Sequence, residues 1–193
     1  MKLWIIGVAL AACVSTALAA PDEDRKKWWG ADIGVYFPTN GEIRDAFGDT
    51  LLRFGLRPFE KRISDRWKFI VDVNALAARK DGNKLFAMPV TFGFTRSFGD
   101  PASKSIPFVQ IAAGPAYYDY SIYRDVEVSA EGGKEPERER ISKKRFGGNA
   151  NIEAGILFDH RFALVARADF YTKSDDFDFS GISLTFSYAA FRW

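Results

Sequence analysis

The chain has 193 residues, of which 47% are hydrophobic, 16% aromatic and 27% charged, and its formal net charge is +2. This length suits a single domain, and so small a net charge argues against a nucleic-acid-binding protein. Because the mean hydropathy is −0.16 and no long apolar run follows Pro21, the sequence also excludes a helical membrane protein.

The first twenty residues have the features of a secretory signal peptide. A basic residue precedes an apolar stretch over residues 3–12, and the small residues Ala17-Leu18-Ala19-Ala20 follow. The pattern predicts that residues 1–20 are cleaved off and that residues 21–193 form one domain. Loss of Cys13, the only cysteine, then excludes disulfides, cysteine nucleophiles and cysteine-bound metals. Two alternatives stay open, namely an uncleaved anchor helix and a lipoprotein in which Cys13 carries the lipid.

The first half of the remaining chain contains four stretches in which apolar and polar residues alternate, as they do in half-buried strands. Residues 40–48 between the first two stretches predict a short helix that ends at Gly48 and lies over a barrel rim. Lys80-Asp81-Gly82-Asn83 predicts a tight hairpin turn, because Gly82 can adopt a positive φ. The four stretches are residues 29–37, 50–57, 66–78 and 84–98.

The second half adds four more alternating stretches, and the even total of eight matches the smallest bacterial β-barrels. Residues 123–145 carry charges of both signs and predict a long, solvated, outward loop. On the opposite side of the barrel, Asp159-His160-Arg161 predicts a tight turn and residues 58–65 a longer connection. The four stretches are residues 106–122, 146–158, 161–172 and 182–188.

The alternation divides the strands into an apolar face, which we expect to meet lipid, and a face that points into the lumen. Eight strands enclose a space that side chains fill, and buried charges persist only when they are paired. The predicted lumen has four basic and four acidic residues, which favours a salt-bridged plug, with a narrow polar conduit as the alternative. These residues are Asp32, Arg53, Arg57, Lys68, Asp72, Glu153, Arg167 and Asp169.

Residues that could support catalysis or metal binding are few. His160, the only histidine, lies in a predicted turn with no serine placed to form a nucleophile–base pair. Asp175, Asp176 and Asp178 lack the spacing of a calcium-binding loop and are interpreted as a solvated hairpin tip. The sequence therefore predicts no catalytic residue, cofactor or metal site, and we expect that the protein is not an enzyme.

The alternating strands, residues 88–94 and 107–114, and the aromatic end of the chain over residues 179–193 resemble the bacterial outer-membrane β-barrel domain family. That family includes the OmpA transmembrane domain, OmpX and OmpW. The resemblance implies an all-β, eight-stranded, antiparallel, up-and-down transmembrane barrel in the outer membrane, with a short helix in its first outward loop. It also implies a monomer in contact with lipid and lipopolysaccharide. The barrel-assembly machinery would recognise the last strand through Tyr188 and through Phe191 or Trp193.

The sequence leaves three functions open. The first is a closed structural barrel that contributes to envelope structure or surface contacts. The second is a narrow pore or transporter for small solutes. The third is a soluble lipocalin-like barrel, which requires the opposite phase, with Phe86, Phe92 and Phe94 inward and the strand charges outward.

Overall fold

The computed structural model describes residues 29–100, 102–130, 133–159, 161–173 and 177–190. Eight antiparallel strands form a closed barrel in which each strand pairs with the next and β1 pairs with β8. The predicted fold class is confirmed. The strands are β1 (Trp29–Pro38), β2 (Leu51–Arg62), β3 (Trp67–Lys80), β4 (Asn83–Ser97), β5 (Ser105–Ala130), β6 (Gly133–Phe158), β7 (Phe162–Tyr171) and β8 (Gly181–Ala190), with helix α1 (Gly41–Phe47) between β1 and β2.

The two faces of the barrel follow the period-two alternation of the strands. Every strand exposes large hydrophobic side chains on its outer face, and one example from each strand is between 41% and 59% exposed. The lipocalin-like alternative is wrong, because Phe92 and Phe94 point outward while Arg53 and Arg167 are buried inside. The eight examples are Ile33, Leu52, Trp67, Phe92, Ile111, Ile152, Leu164 and Leu184.

The barrel has two rims with different connections. Trp29 pairs with Ala190 where β1 begins and β8 ends, and we call this end the lower rim. Residues 63–66, 98–104 and 159–161 connect strands there. The opposite end, with α1 and the connection from β7 to β8, is the upper rim. Residues 1–28 lie outside the described residues, so cleavage of a signal peptide stays a prediction.

Helix α1 closes part of the upper rim, as the sequence predicts. The side chain of Asn40 accepts a hydrogen bond from the Ile43 N–H (3.1 Å), and Gly48 ends the helix with a φ of 99°. Ile43 and Phe47 are buried beneath the helix. No helix in the described part of the chain is long and apolar enough to cross a membrane.

The turn between β3 and β4 is the predicted two-residue hairpin. Asp81 and Gly82 have φ values of 49° and 85°, as a type I′ turn requires. The side chain of Asn83, beside this turn, donates a hydrogen bond to the Ala46 carbonyl at 2.9 Å. The hairpin therefore stays short and its tip is attached to α1.

The predicted outward loop over residues 123–145 is wrong. Strands β5 and β6 continue through this segment in regular antiparallel register up to the pair Ala130 and Gly133. The register places the backbone of Arg124 opposite that of Glu139, and the backbone of Asp125 opposite that of Arg138. The segment predicted as a loop is therefore a hairpin that extends beyond the other strands.

Candidate functional site

A β-bulge in β2 positions the first charged group of the lumen. Leu56 pairs with Val73 and Phe59 with Val71, so Arg57 and Pro58 together oppose Asp72. Proline is tolerated at a bulge because its missing N–H breaks no regular ladder hydrogen bond. The predicted connection over residues 58–65 is wrong for this reason, since β2 continues through the bulge to Arg62.

The bulge orients Arg57 toward Asp72, and the two side chains form a bidentate ion pair. Nε of Arg57 lies 2.7 Å from Oδ1 of Asp72, and Nη2 lies 3.2 Å from Oδ2. Gln110 bridges the pair, accepting from Arg57 and donating to Asp72 at 2.8 Å each. Thr95 donates a further hydrogen bond to Gln110 at 3.0 Å. Charge-assisted pairs with such support are the strong ones in an interior.

Arg167 and Arg53 continue the ion pairs across the barrel. Nη1 of Arg167 lies 2.8 Å from Glu153, and its Nη2 lies 2.6 Å from Asp169. Nη1 of Arg53 lies 3.1 Å from the other oxygen of Asp169. Arg53 also donates to Ser183 at 2.6 Å and to Asn74 at 2.7 Å.

These contacts form one chain of alternating charge across the lumen, which we call the charge chain. Arg57 joins its two halves, because its Nη2 is also 3.8 Å from Glu153. Arg53, Glu153, Arg167 and Asp169 are at most 5% exposed. The members in order are Asp72, Arg57, Glu153, Arg167, Asp169 and Arg53.

The other two predicted lumen residues also point inward, but they lie outside the charge chain. Lys68 pairs at 2.6 Å with Glu60, a residue that the alternation did not place in the lumen. The bulge reverses the alternation after Pro58 and thereby turns Glu60 inward. Asp32 has no ion pair among the described residues, and its Oδ1 atom is buried without a hydrogen-bond partner. Its carboxylate lies over Gly55, where a Cβ would collide with it.

Above the charge chain, aromatic and aliphatic side chains fill the lumen up to α1. Phe179 packs against Tyr118 and Tyr120, with ring centroids 5.3 and 5.5 Å apart. The hydroxyl of Tyr36 donates a hydrogen bond to the Phe179 carbonyl. The alternation of the eight strands did not predict this aromatic layer, although Phe177 and Phe179 show period-two spacing before β8. Its buried members include Ile43, Phe47, Leu51, Leu76, Leu85, Tyr171 and Phe177.

Below the charge chain, a cavity of about 80 Å³ opens toward the lower rim. Asp32, Arg57 and Glu60 line one part of it, and Phe108 and Leu157 line another. In the residues the structure describes, no group of three His, Cys, Asp or Glu side chains could hold a metal ion. His160, Asp175 and Asp176 lie outside the described residues.

Of the predicted assembly residues, only Tyr188 has a described side chain. It is 47% exposed on the outer face near the lower rim, and its ring packs against Phe162 at 5.4 Å. Arg96 lies near the same rim over the rings of Trp67 and Phe98, at 5.5 and 5.3 Å. Phe191 and Trp193 lie outside the described residues.

Comparison of the whole fold with known structures finds similar small barrels. The N-terminal β-barrel domain of OprF from Pseudomonas aeruginosa matches with a TM-score of 0.51 and 13% identity, over 86% of this chain and 98% of that domain. Neisserial surface protein A (NspA) matches with a TM-score of 0.55 and 10% identity, over 84% and 95%. No protein-family model and no curated protein sequence matches the chain. Its fold is that of the small eight-stranded outer-membrane β-barrels.

Proposed function

We propose that this protein is a monomeric, integral outer-membrane barrel with a closed lumen, contributing to envelope structure or surface contacts. The charge chain is the observation that carries the proposal. Three arginines and three carboxylates form ion pairs with one another across the lumen. A buried charge without a partner is costly, so separating these pairs would be unfavourable. The charge chain therefore favours a closed lumen.

The outer surface supports a position in a membrane. Large hydrophobic side chains on all eight strands would be unfavourable in water over so continuous a band, whereas a transmembrane barrel needs such a band. A closed barrel also satisfies the backbone hydrogen bonds that lipid cannot. Lipid is therefore the first partner of this surface, and the barrel-assembly machinery is the expected partner during insertion.

The connections support an orientation with the lower rim in the periplasm. Outer-membrane barrels have short turns on the periplasmic side and longer segments outside. Residues 63–66 and 159–161 are short connections at the lower rim, whereas α1 and the long β5–β6 hairpin lie at the upper rim. In this orientation the hairpin extends outward from the cell and is the part best placed for surface contacts.

A narrow pore is the alternative function, and the cavity below the charge chain is what supports it. That cavity has room for only a few waters. The aromatic layer lies between it and the upper rim. Conduction would therefore require both the charge chain and the aromatic layer to open, which makes the closed barrel the better-supported function.

Two measurements test the proposal. The full chain, expressed in a Gram-negative host, should fractionate with the outer membrane and migrate faster on gels before heating than after it. Recovery in the soluble periplasmic fraction would contradict membrane insertion. The purified barrel should give no unitary currents in planar bilayers, and reproducible currents would favour the pore instead.

We also infer that the barrel is not an enzyme, on the ground that the six side chains of the charge chain are engaged in contacts with one another. Ser183, the serine beside the charge chain, accepts a hydrogen bond from Arg53 at 2.6 Å and is fully buried. Mass spectrometry of lipid A from cells with and without the protein tests this inference. Any change in acyl chains that depends on the protein would overturn it.

A further inference from the structure

A group of basic side chains lies on the outer face of the barrel at the upper rim. Arg79 and Lys84 stand directly opposite each other on β3 and β4, and both are exposed. Among the described residues, neither side chain has an ion pair or a hydrogen-bond partner. Like charges directly opposite each other destabilise a sheet, so this arrangement favours a bound anion.

Two further cations, both on β6, extend the group beyond β5. Ser121 pairs in register with Lys84 and accepts a hydrogen bond from Nε of Arg140 at 2.8 Å. The Arg140 guanidinium is thereby held beside Lys84, with the Tyr123 ring 5.8 Å away. Lys144 is 62% exposed and contacts Asp119 only at 3.7 Å. We call Arg79, Lys84, Arg140 and Lys144 the basic patch; among the described residues, the contact of Lys144 with Asp119 is the one ion pair that these four cations make.

The outer face changes to apolar residues immediately below the basic patch. Moving two positions down each strand leads from Arg79 to Ala77, from Lys84 to Phe86 and from Lys144 to Phe146. Phe146 is 83% exposed and its ring lies 5.3 Å from that of Tyr117. An anionic headgroup at the patch would thus have its hydrocarbon chains against an apolar surface.

The patch is confined to one side of the barrel. On β1, β2, β7 and β8, the large outward side chains nearest the upper rim are apolar. A general attraction to anionic lipid would not require such a concentration of charge on β3 to β6. These outward residues are Phe37, Leu52, Phe170 and Ile182.

We propose that the basic patch binds the phosphate groups of lipopolysaccharide in the outer leaflet, with its acyl chains against Phe86 and Phe146. Arginine and lysine both recognise phosphate, and arginine can donate two parallel hydrogen bonds to it. The proposal rests on the proposed outer-membrane location and orientation. It adds the residues that contact the lipid and the side of the barrel on which they lie.

The test compares lipopolysaccharide binding by matched double variants of the full barrel in detergent micelles. Arg79→Gln with Lys84→Gln removes two charges from the patch. Arg44→Gln with Lys61→Gln removes two exposed charges elsewhere. Binding is measured as the rise in unfolding temperature during lipopolysaccharide titration. We expect the patch variant to bind about 30-fold more weakly, while the control variant binds like the unmodified barrel.

Further comparisons test whether the basic patch recognises the phosphate groups of the lipid through its charge. Dephosphorylated lipopolysaccharide should bind the unmodified barrel as weakly as intact lipopolysaccharide binds the patch variant. Arg79→Lys with Lys84→Arg keeps both charges and should bind normally. Equal affinity of the patch and control variants would overturn the proposal. So would inorganic phosphate that stabilises the barrel as much as lipopolysaccharide does.

Folding of each variant is checked without lipopolysaccharide, by the gel shift on heating. A folded patch variant that binds weakly supports the proposal. A barrel that folds but is recovered outside the outer membrane contradicts the proposed function instead. The two proposals therefore fail in distinguishable ways.

Discussion

Arg53 and Asp169 are 116 positions apart in the chain, yet their side chains meet at 3.1 Å in the lumen. Both are almost fully buried, at 3% and 2% exposure. Their contact joins β2 to β7 across the interior, which no hydrogen bond between neighbouring strands can do. The charge chain therefore connects strands that the sheet leaves apart.

Arg167→Met should strongly destabilise the barrel. It leaves Glu153 with only the 3.8 Å contact to Arg57 and removes one partner of Asp169. Breaking a buried ion pair costs about 3–5 kcal/mol in the free energy of unfolding, measured by denaturant titration in lipid vesicles. Arg62→Met, at the exposed pair with Asp65, is the control and should cost less than about 1 kcal/mol. Similar losses in both variants would contradict a structural role for the charge chain.

Arg57 and Asp72 should show strong energetic coupling. Arg57→Leu leaves the buried Asp72 carboxylate, and Asp72→Leu the half-buried Arg57 guanidinium, without its main partner, whereas the double variant leaves neither. We expect the double variant to be more stable than the sum of the single losses predicts, by about 2 kcal/mol. Additive losses in the same unfolding measurement would show that the bulge does not position a functional pair.

Gly55→Ala should destabilise the barrel through Asp32. The added Cβ would meet the Asp32 carboxylate, and overpacking of this kind costs about 1–3 kcal/mol. In an Asp32→Ala background the same substitution should be nearly neutral. If Gly55→Ala costs as much in that background as alone, its effect comes from the backbone and not from the carboxylate.

Phe179→Ala should cost far more stability than Phe170→Ala. Phe179 is 1% exposed within the aromatic layer, whereas Phe170 is 54% exposed on the outer face. Removal of a buried phenyl ring costs about 3–5 kcal/mol, measured by denaturant titration. Equal costs would mean that the aromatic layer is loosely packed.

Ala154→Arg should be unfavourable because Ala154 points outward along β6. Near the bilayer midplane, arginine on the lipid face costs about 2–4 kcal/mol. Ser142→Arg, on the same strand at the upper rim, should cost less than about 1 kcal/mol. Unfolding in vesicles compares the two, and an unaffected Ala154→Arg variant would argue against lipid at this face.

The sequence predicts the strands and their faces well, because alternation is a local property. The helix could also be found locally, from Asn40 and Gly48. Glu60 could not, since strict alternation fails at the bulge beside Pro58. The ion-pair partner of each lumen charge could not be predicted either, because it depends on the register of strands distant in the chain.

The extended β5–β6 hairpin could not be predicted from composition. Its strands carry many charged residues, which composition alone associates with loops. The register that places Arg124 opposite Glu139 and Asp125 opposite Arg138 follows from the pairing of Ala130 with Gly133, which composition does not reveal. Cross-strand pairing, and not hydrophobicity, distinguishes this hairpin from a loop.

The pairing of β1 with β8 has a consequence for the order of assembly. Ten register pairs, from Trp29 with Ala190 to Pro38 with Gly181, join the first strand to the last. Until β8 is in place, β1 has an open edge whose peptide groups lipid cannot satisfy. Contacts so distant in sequence also slow folding. Closure is therefore the last step, and a chain stopped before β8 cannot complete the barrel.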